Sequence, residues 1–268
     1  MWLCPVCHEE LIATQSAVLQ CPAGHSYDRA REGYVNLLLA NRKRSQQPGD
    51  DKAMISARRR VHDAGLYRTL ADAISQVLQD CGQRPAVALD LGCGEGFYTA
   101  AIAGSLPAAT LCGVDIAKPA VKLAARRCRE AEFAVASAFD VPLADSSIGL
   151  VTSIFAPLHP QEIVRLLEPG GLYLKVTPAA QHLWELRCLL YDSPVPHQQD
   201  SELLEGFEVL AESQLDYSVQ ISGDLLRDLV AMTPYAHRGQ REHRDKLDQQ
   251  QKLSIQMSFC LSLQRKPG

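Results

Sequence analysis

Four residues near the N-terminus have the types and spacing to hold a metal ion. Cys4 and Cys7 form a Cys-x2-Cys corner, and after thirteen intervening residues Cys21 and His25 form a Cys-x3-His corner. Each corner presents two donors, and the segment between them returns the chain so that both face one ion. A tetrahedral set of sulfur and nitrogen donors suits zinc, which brings no redox chemistry. Pro5 and Pro22 each follow the first cysteine of a corner, where a rigid turn is useful. His8, beside Cys7, is a competing donor, although Cys-x3-His already completes four. Four protein ligands leave no open position, which makes the expected ion structural rather than catalytic. A second stretch, Leu89-Asp90-Leu91-Gly92-Cys93-Gly94-Glu95-Gly96, has a different chemistry. Alternating glycines let the backbone turn tightly and approach a ligand closely. The spacing is G-x-G-x-G, with an acid two residues before the first glycine, rather than the G-x-G-x-x-G of a dinucleotide site.

These residues need elements to position them. Residues 1–36 read as a small metal-binding module and 37–84 as a linker with two helices. The linker is marked by Asn41-Arg42-Lys43-Arg44-Ser45-Gln46-Gln47-Pro48-Gly49. The apolar spacing predicts helices over 52–62 and from Leu66 to Leu78, with Gly82 just past the second. Strands are predicted over 87–91, 110–114, 133–136, 150–155 and 172–176, with helices over 97–103, 118–129 and 162–167 between them. A turn is expected at Glu168-Pro169-Gly170-Gly171. Strands alternating with helices predict an α/β fold with a mostly parallel, doubly wound, Rossmann-like sheet over 85–268. The runs 207–210, 215–221 and 253–263 are expected to add antiparallel strands at its end, with a helix over 224–232.

Bulk properties narrow the class. The 268 residues are 46% hydrophobic and 22% charged, as in a soluble globular protein, and the net charge of −4 excludes a uniformly basic nucleic-acid coat. No apolar run is long enough to span a membrane, and the N-terminus lacks the pattern of a secretory signal. Cys81, Cys93, Cys112, Cys128 and Cys188 are scattered through the expected helices and strands. That usage predicts reduced thiols in a cytoplasmic protein.

The glycine loop resembles motif I of class I S-adenosylmethionine methyltransferases. Further features fall in the order of that family: Asp115 ends the second strand, Ser137 follows the third, and Leu167-Glu168-Pro169-Gly170-Gly171 precedes the fifth. The whole chain is similar to the bacterial large-subunit (23S) ribosomal RNA guanine-N1 methyltransferases. The stretches that carry this are the Cys4–His25 head, REGYVNLL at 31–38, PGDDKAM…ARR at 48–59 and GCGEGFYT at 92–99. DAGLY at 63–67, TPAAQHLWEL at 177–186 and MTPYA at 232–236 add to them. The resemblance implies methylation of a guanine in a hairpin loop, a homodimer, and the Gram-negative branch rather than the macrolide-resistance branch. It implies cofactor contacts from Tyr67, Asp90, Gly92, Gly94, Glu95, Gly96, Phe97, Asp115, Ser137 and His182, with Asp115 on the ribose hydroxyls.

Charge patterning supports an RNA substrate independently. Residues 29–60 carry nine positive groups against three acids, a local balance of +6. Arg42, Lys43, Arg44, Arg58, Arg59 and Arg60 are the candidate phosphate contacts, and Arg238, Arg241, Arg244 and Lys246 form a weaker cluster. No residue identifies itself as a catalytic base. The segment Ile154-Phe155-Ala156-Pro157 lacks the Asn/Asp-Pro-Pro-aromatic pattern of exocyclic-amine methyltransferases, which favours a ring-nitrogen target. Two other readings stay open on the sequence: a small-molecule methyltransferase braced by zinc, and a non-catalytic RNA-binding protein.

Overall fold

The computed structural model describes residues 2–15, 17–42, 49–157, 159–198, 203–233 and 252–268. The metal module is a three-stranded antiparallel sheet of β1 (Ile12–Gln15), β2 (Val18–Gln20) and β3 (Ser26–Asp28). The chain then forms β4 (Val35–Asn36), which lies parallel to β7 (Glu132–Val135) on the edge of the main sheet. The last residues of the expected module are therefore part of the larger sheet. A 3-10 turn at Ala40–Arg42 leads away.

Two helices precede the central strand. In α1 (Lys52–Asp63), the Asp51 carboxylate caps the N-terminus by accepting a hydrogen bond from the Met54 N–H at 2.8 Å. In α2 (Arg68–Asp80), Leu70, Ala71, Ile74 and Leu78 recur at helical spacing and are buried.

The main sheet contains β5 (Val87–Leu91), β6 (Thr110–Asp115), β7, β8 (Ile148–Ile154), β9 (Leu167–Pro178), β10 (Glu208–Ile221) and β11 (Leu253–Arg265), besides β4. Its order is β10-β11-β9-β8-β5-β6-β7-β4. The strands from β4 to β9 are mutually parallel, and β11 and β10 add antiparallel pairs. Parallel neighbours need crossovers, supplied by α3 (Phe97–Ser105), α4 (Lys118–Arg127) and α5 (Pro160–Leu166). The chain moves from β5 outward to β7, then returns to the other side of β5 at β8. That reversal is a topological switch point, where a crevice opens beyond the carboxyl ends of the strands.

Side-chain alternation divides the core. Ala88, Leu150, Leu172 and Leu174 face one layer with Leu70, Ile74 and Ile102. Leu89, Leu91, Val151 and Tyr173 face the other, where Trp2, Leu11 and Leu19 of the metal module join them. The module is therefore anchored by apolar burial as well as by any ion. The Leu3 N–H also donates to the Pro142 carbonyl at 2.8 Å.

Two sequence expectations need correcting. The turn at 168–171 interrupts no strand: β9 runs continuously from Leu167, with the register against β8 shifting between Ile148 and Leu150. The runs 207–210 and 215–221 are one strand, β10, whose polar middle is held by pairing along β11. The helices α6 (Trp184–Leu190) and α7 (Gly223–Ala231) complete the described elements.

Candidate cofactor cleft and metal centre

The metal ligands converge as their spacing requires. The donor atoms of Cys4, Cys7, Cys21 and His25 all lie within 4.8 Å of one another. Cys4 Sγ is 3.6 Å and Cys21 Sγ 3.3 Å from His25 Nδ1, and Cys7 Sγ is 3.5 Å from Cys21 Sγ. Distances of this size match the edges of a tetrahedron around zinc with bonds of about 2.0–2.3 Å. The surroundings fit thiolates too, since the His25 N–H donates to Cys21 Sγ at 3.3 Å and the Tyr27 hydroxyl is 3.4 Å from Cys4 Sγ. His8 is outside this set. The ion is zinc and its role structural.

The glycine loop is tied down at both ends. The Gly92 and Cys93 N–H groups donate to the Val114 carbonyl, each at 2.9 Å. Gly92 has φ +77°, and a Cβ there would stand 2.5 Å from the Ala156 Cβ. Gly96 has φ +83°, and its Cβ would meet the Ala124 Cα at 2.8 Å, so the absent side chain lets α3 pack against α4. Asp90 lies beneath the loop and is buried. It accepts hydrogen bonds from the Thr99 hydroxyl at 2.5 Å and the Thr152 hydroxyl at 3.1 Å. Burial pushes its carboxyl up to about 6, against the opposing effect of those hydroxyls. Asp90 thus braces β5 against α3 and β8.

Asp115, at the end of β6, closes the loop from the side. One carboxylate oxygen accepts from the Gly94 N–H at 3.0 Å and the other from the Ala117 N–H at 2.7 Å. Burial raises its pKa, with these two N–H groups opposing. Each oxygen keeps a second lone pair for a ligand hydroxyl. The glycine turn and this carboxylate form one cradle at the switch point.

The remaining expected contacts divide into three groups. Tyr67 and His182 meet, with ring centroids 6.4 Å apart, and Phe259 and Phe155 complete an aromatic wall around Tyr67. His182 is buried and accepts from the Ser258 N–H at Nδ1, 3.3 Å away, which places its proton on Nε2. Burial pushes it down to about 3, aided by the charges of His197 and Arg187, so it is a neutral donor near pH 7. Glu95 and Phe97 turn elsewhere, toward α1 and α4. Glu95 accepts from or pairs with His62 Nδ1 at 2.8 Å, with Arg127 3.6 Å away, and both Glu95 and His62 are buried. Burial would raise the Glu95 pKa, but His62 and Arg127 outweigh it and hold it below the usual value. Phe97 stacks on His62 at 4.3 Å and carries the Arg127 guanidinium 5.7 Å from its ring centre. Ser137 accepts from the Phe139 N–H at 3.2 Å. It lines a cavity of about 420 Å³ between the metal module and the loop after β7, together with Leu3, His8, Leu38 and Arg165. That cavity touches neither the glycine loop nor Asp115, so the cleft is defined by the switch point instead.

The arginines of α1 are paired rather than free. Arg58 bonds Asp50 at 2.5 Å, Arg59 bonds Asp63 at 3.3 Å, and Arg60 makes two bonds to Asp228 of α7 at 2.5 and 2.6 Å. Arg42 ends the 3-10 turn. Lys43, Arg44 and the cluster Arg238, Arg241, Arg244 and Lys246 lie outside the described residues. Sequence reasoning gave no role to His62, Thr99 or Thr152. Their partners are 33, 9 and 62 residues away, and no local pattern marks them.

Comparison with known proteins covers both parts of the chain. Residues 2–46 match the zinc-ribbon family described as "RlmA, N-terminal", and residues 88–171 match a methyltransferase domain. The 23S rRNA (guanine(748)-N(1))-methyltransferase of Streptomyces fradiae is 34% identical over 238 residues, covering 86% of this chain and 84% of its own. The chain belongs to the 23S rRNA guanine-N1 methyltransferase family. A Micromonospora griseorubida relative provisionally named for the same activity is 34% identical over 255 residues, covering 87% of this chain and 85% of its own. Among solved structures, the YcgJ protein of Bacillus subtilis has 21% identity and a TM-score of 0.48, covering 72% of this chain and 98% of its own. Within the family, the paired zinc corners and the G-x-G-x-G loop are thus two parts of one methyltransferase.

Proposed function

We propose that this protein transfers a methyl group from S-adenosylmethionine to N1 of a guanine in a hairpin loop of 23S rRNA. The observation that carries the reading is the similarity to the Streptomyces fradiae enzyme over 86% of this chain, alongside the zinc-ribbon match at residues 2–46 and the methyltransferase match at 88–171. Gly92, Gly94 and Asp115 hold the cofactor, with Tyr67 and His182 at its other side. The bound cofactor supplies a methyl group on a positively charged sulfur, already a strong donor, so the chain's task is alignment and proton removal. Methylation at N1 would form an N–C bond as the sulfur–methyl bond breaks, leaving a neutral thioether and releasing the N1 proton. His182, held neutral with its proton on Nε2, is a donor to ligand atoms rather than the acceptor of that proton. A loop guanine is accessible because an unpaired base can be extruded with its Watson–Crick edge free.

Phosphate contacts come from the segment around Arg42, Lys43 and Arg44, and the active form is a cytoplasmic homodimer. Among the described residues no helix is long and apolar enough to cross a membrane. The test is methyl transfer from labelled S-adenosylmethionine to a 23S rRNA transcript, followed by nucleoside analysis. 1-Methylguanosine as the labelled product is expected. Label in another nucleoside, or label entering only a metabolite panel, overturns the reading. Light scattering with size exclusion checks the dimer, and a monomer at assay concentration removes it.

A further inference from the structure

Phe155 directly follows β8 at the switch point, and its backbone is in the left-handed region, with φ +57°. A bulky L-residue adopts that conformation only when the surrounding structure imposes it, and such residues cluster at functional sites. Here the Phe155 N–H donates to the Val176 carbonyl at 3.0 Å and holds the turn. The ring stands among Tyr67, Tyr98 and Phe259, at centroid distances of 6.4, 6.1 and 5.6 Å. Those three are buried, whereas Phe155 is 41% exposed. A strained backbone therefore keeps one member of an aromatic cluster open to solvent. The next residue, Ala156, is the one that a Cβ at Gly92 would strike, which sets Phe155 immediately beside the cofactor loop. Tyr98, in the same cluster, has a buried hydroxyl with no hydrogen-bond partner among the described residues.

The acceptor in the reaction proposed above is a purine whose reacting atom lies on its Watson–Crick edge. Hydrogen bonds can read O6 and N2 on that edge, while stacking grips the base by its faces and leaves N1 free. We propose that Phe155 is the platform on which the extruded target guanine stacks. The assignment rests on the guanine-N1 reading.

The experiment measures single-turnover methyl transfer to a 23S rRNA transcript, alongside S-adenosylmethionine affinity by calorimetry, for the full chain. Phe155→Ala is expected to slow transfer roughly 10- to 100-fold, the effect of losing one stacked base. Phe155→Tyr and Phe155→Trp should stay within about threefold of wild type, while Phe155→Leu, apolar but not planar, should resemble the alanine variant. Cofactor affinity should change less than about twofold in all four, since stacking holds the base alone. Equal rates for the leucine and tryptophan variants would reduce Phe155 to packing and overturn the proposal. So would cofactor affinity falling in step with rate, which would place the ring in the cofactor pocket. Wild-type turnover with an indifferent alanine variant overturns the platform alone. A wild-type protein that forms no 1-methylguanosine overturns the functional reading and the platform with it.

Discussion

The metal centre and the cofactor cleft are both built on tight turns, yet they close over different spans of chain. Cys4, Cys7, Cys21 and His25 come from one short stretch, and two corners suffice to assemble them. The glycine loop takes its support from Thr99, Asp115 and Thr152, while the Tyr67–His182 wall joins a residue ahead of the sheet domain to one that follows β9. A site of the first kind depends on its ion, whose binding free energy is also folding free energy. A site of the second kind depends on the sheet that brings its parts together. The two nevertheless share one apolar layer of the sheet: Trp2, Leu11 and Leu19 belong to the same cluster as Leu89 and Val151.

The largest expected effect separates them most sharply. One zinc ion should copurify per chain, and Cys4→Ser or Cys21→Ser should remove a term of order 10 kcal/mol from the module. Limited proteolysis should then cut within residues 2–36, while S-adenosylmethionine affinity falls less than about fivefold, as the module gives the glycine loop no ligand. An ordered, protease-resistant module in metal-free protein would break the comparison.

Next in size is the bridge from α1 to the loop. Replacing His62 with Ala leaves Glu95 buried with only Arg127, at 3.6 Å, to face it. Denaturant titration at pH 7 should show a loss of about 3 kcal/mol, the low end for breaking a buried pair. The sign of the pH dependence follows from the lowered Glu95 pKa. Its contribution is complete above the usual glutamate value and is lost as pH falls through the folded one. The mutational penalty should therefore shrink in acid, and a pH-independent penalty would mean that packing of His62 on Phe97 carries the effect.

Asp115→Ala should weaken S-adenosylmethionine binding by about 1.5–3 kcal/mol, the range for hydrogen bonds to a charged group. Calorimetry at wild-type affinity would remove Asp115 from the cleft. The smallest effect concerns RNA. Neutralising Arg42, Lys43 and Arg44 should lower the salt slope of RNA affinity by roughly 0.7 per lost single-strand contact. The same change at Arg58, Arg59 and Arg60 should lower it less, because each already pairs with an acid. Equal slopes for wild type and the Arg42/Lys43/Arg44 variant would make those three charges merely solvated.

Whatever depends on local spacing was legible along the chain. The ligand set Cys4, Cys7, Cys21 and His25 was legible because corners of two and three intervening residues leave few other arrangements. Strand β5 and the start of α3 were legible because a buried apolar run meets alternating glycines there. Tertiary structure decided what the partners of those residues are. Glu95 sits inside the glycine motif, yet it faces His62 rather than the cleft, because α1 packs across the loop from outside the motif. The arginines of α1 read as candidate phosphate contacts along the helix, but Asp50, Asp63 and Asp228 pair with them, and Asp228 is 168 residues from Arg60. Val35 and Asn36 became a strand only because β7 offers an open edge, and Phe155 is held open by a bond to Val176 in the neighbouring strand. Periodicity and turn chemistry act over a few residues and can be read along the chain. Edge pairing, buried ion pairs and imposed backbone strain act between segments that only the folded sheet brings together.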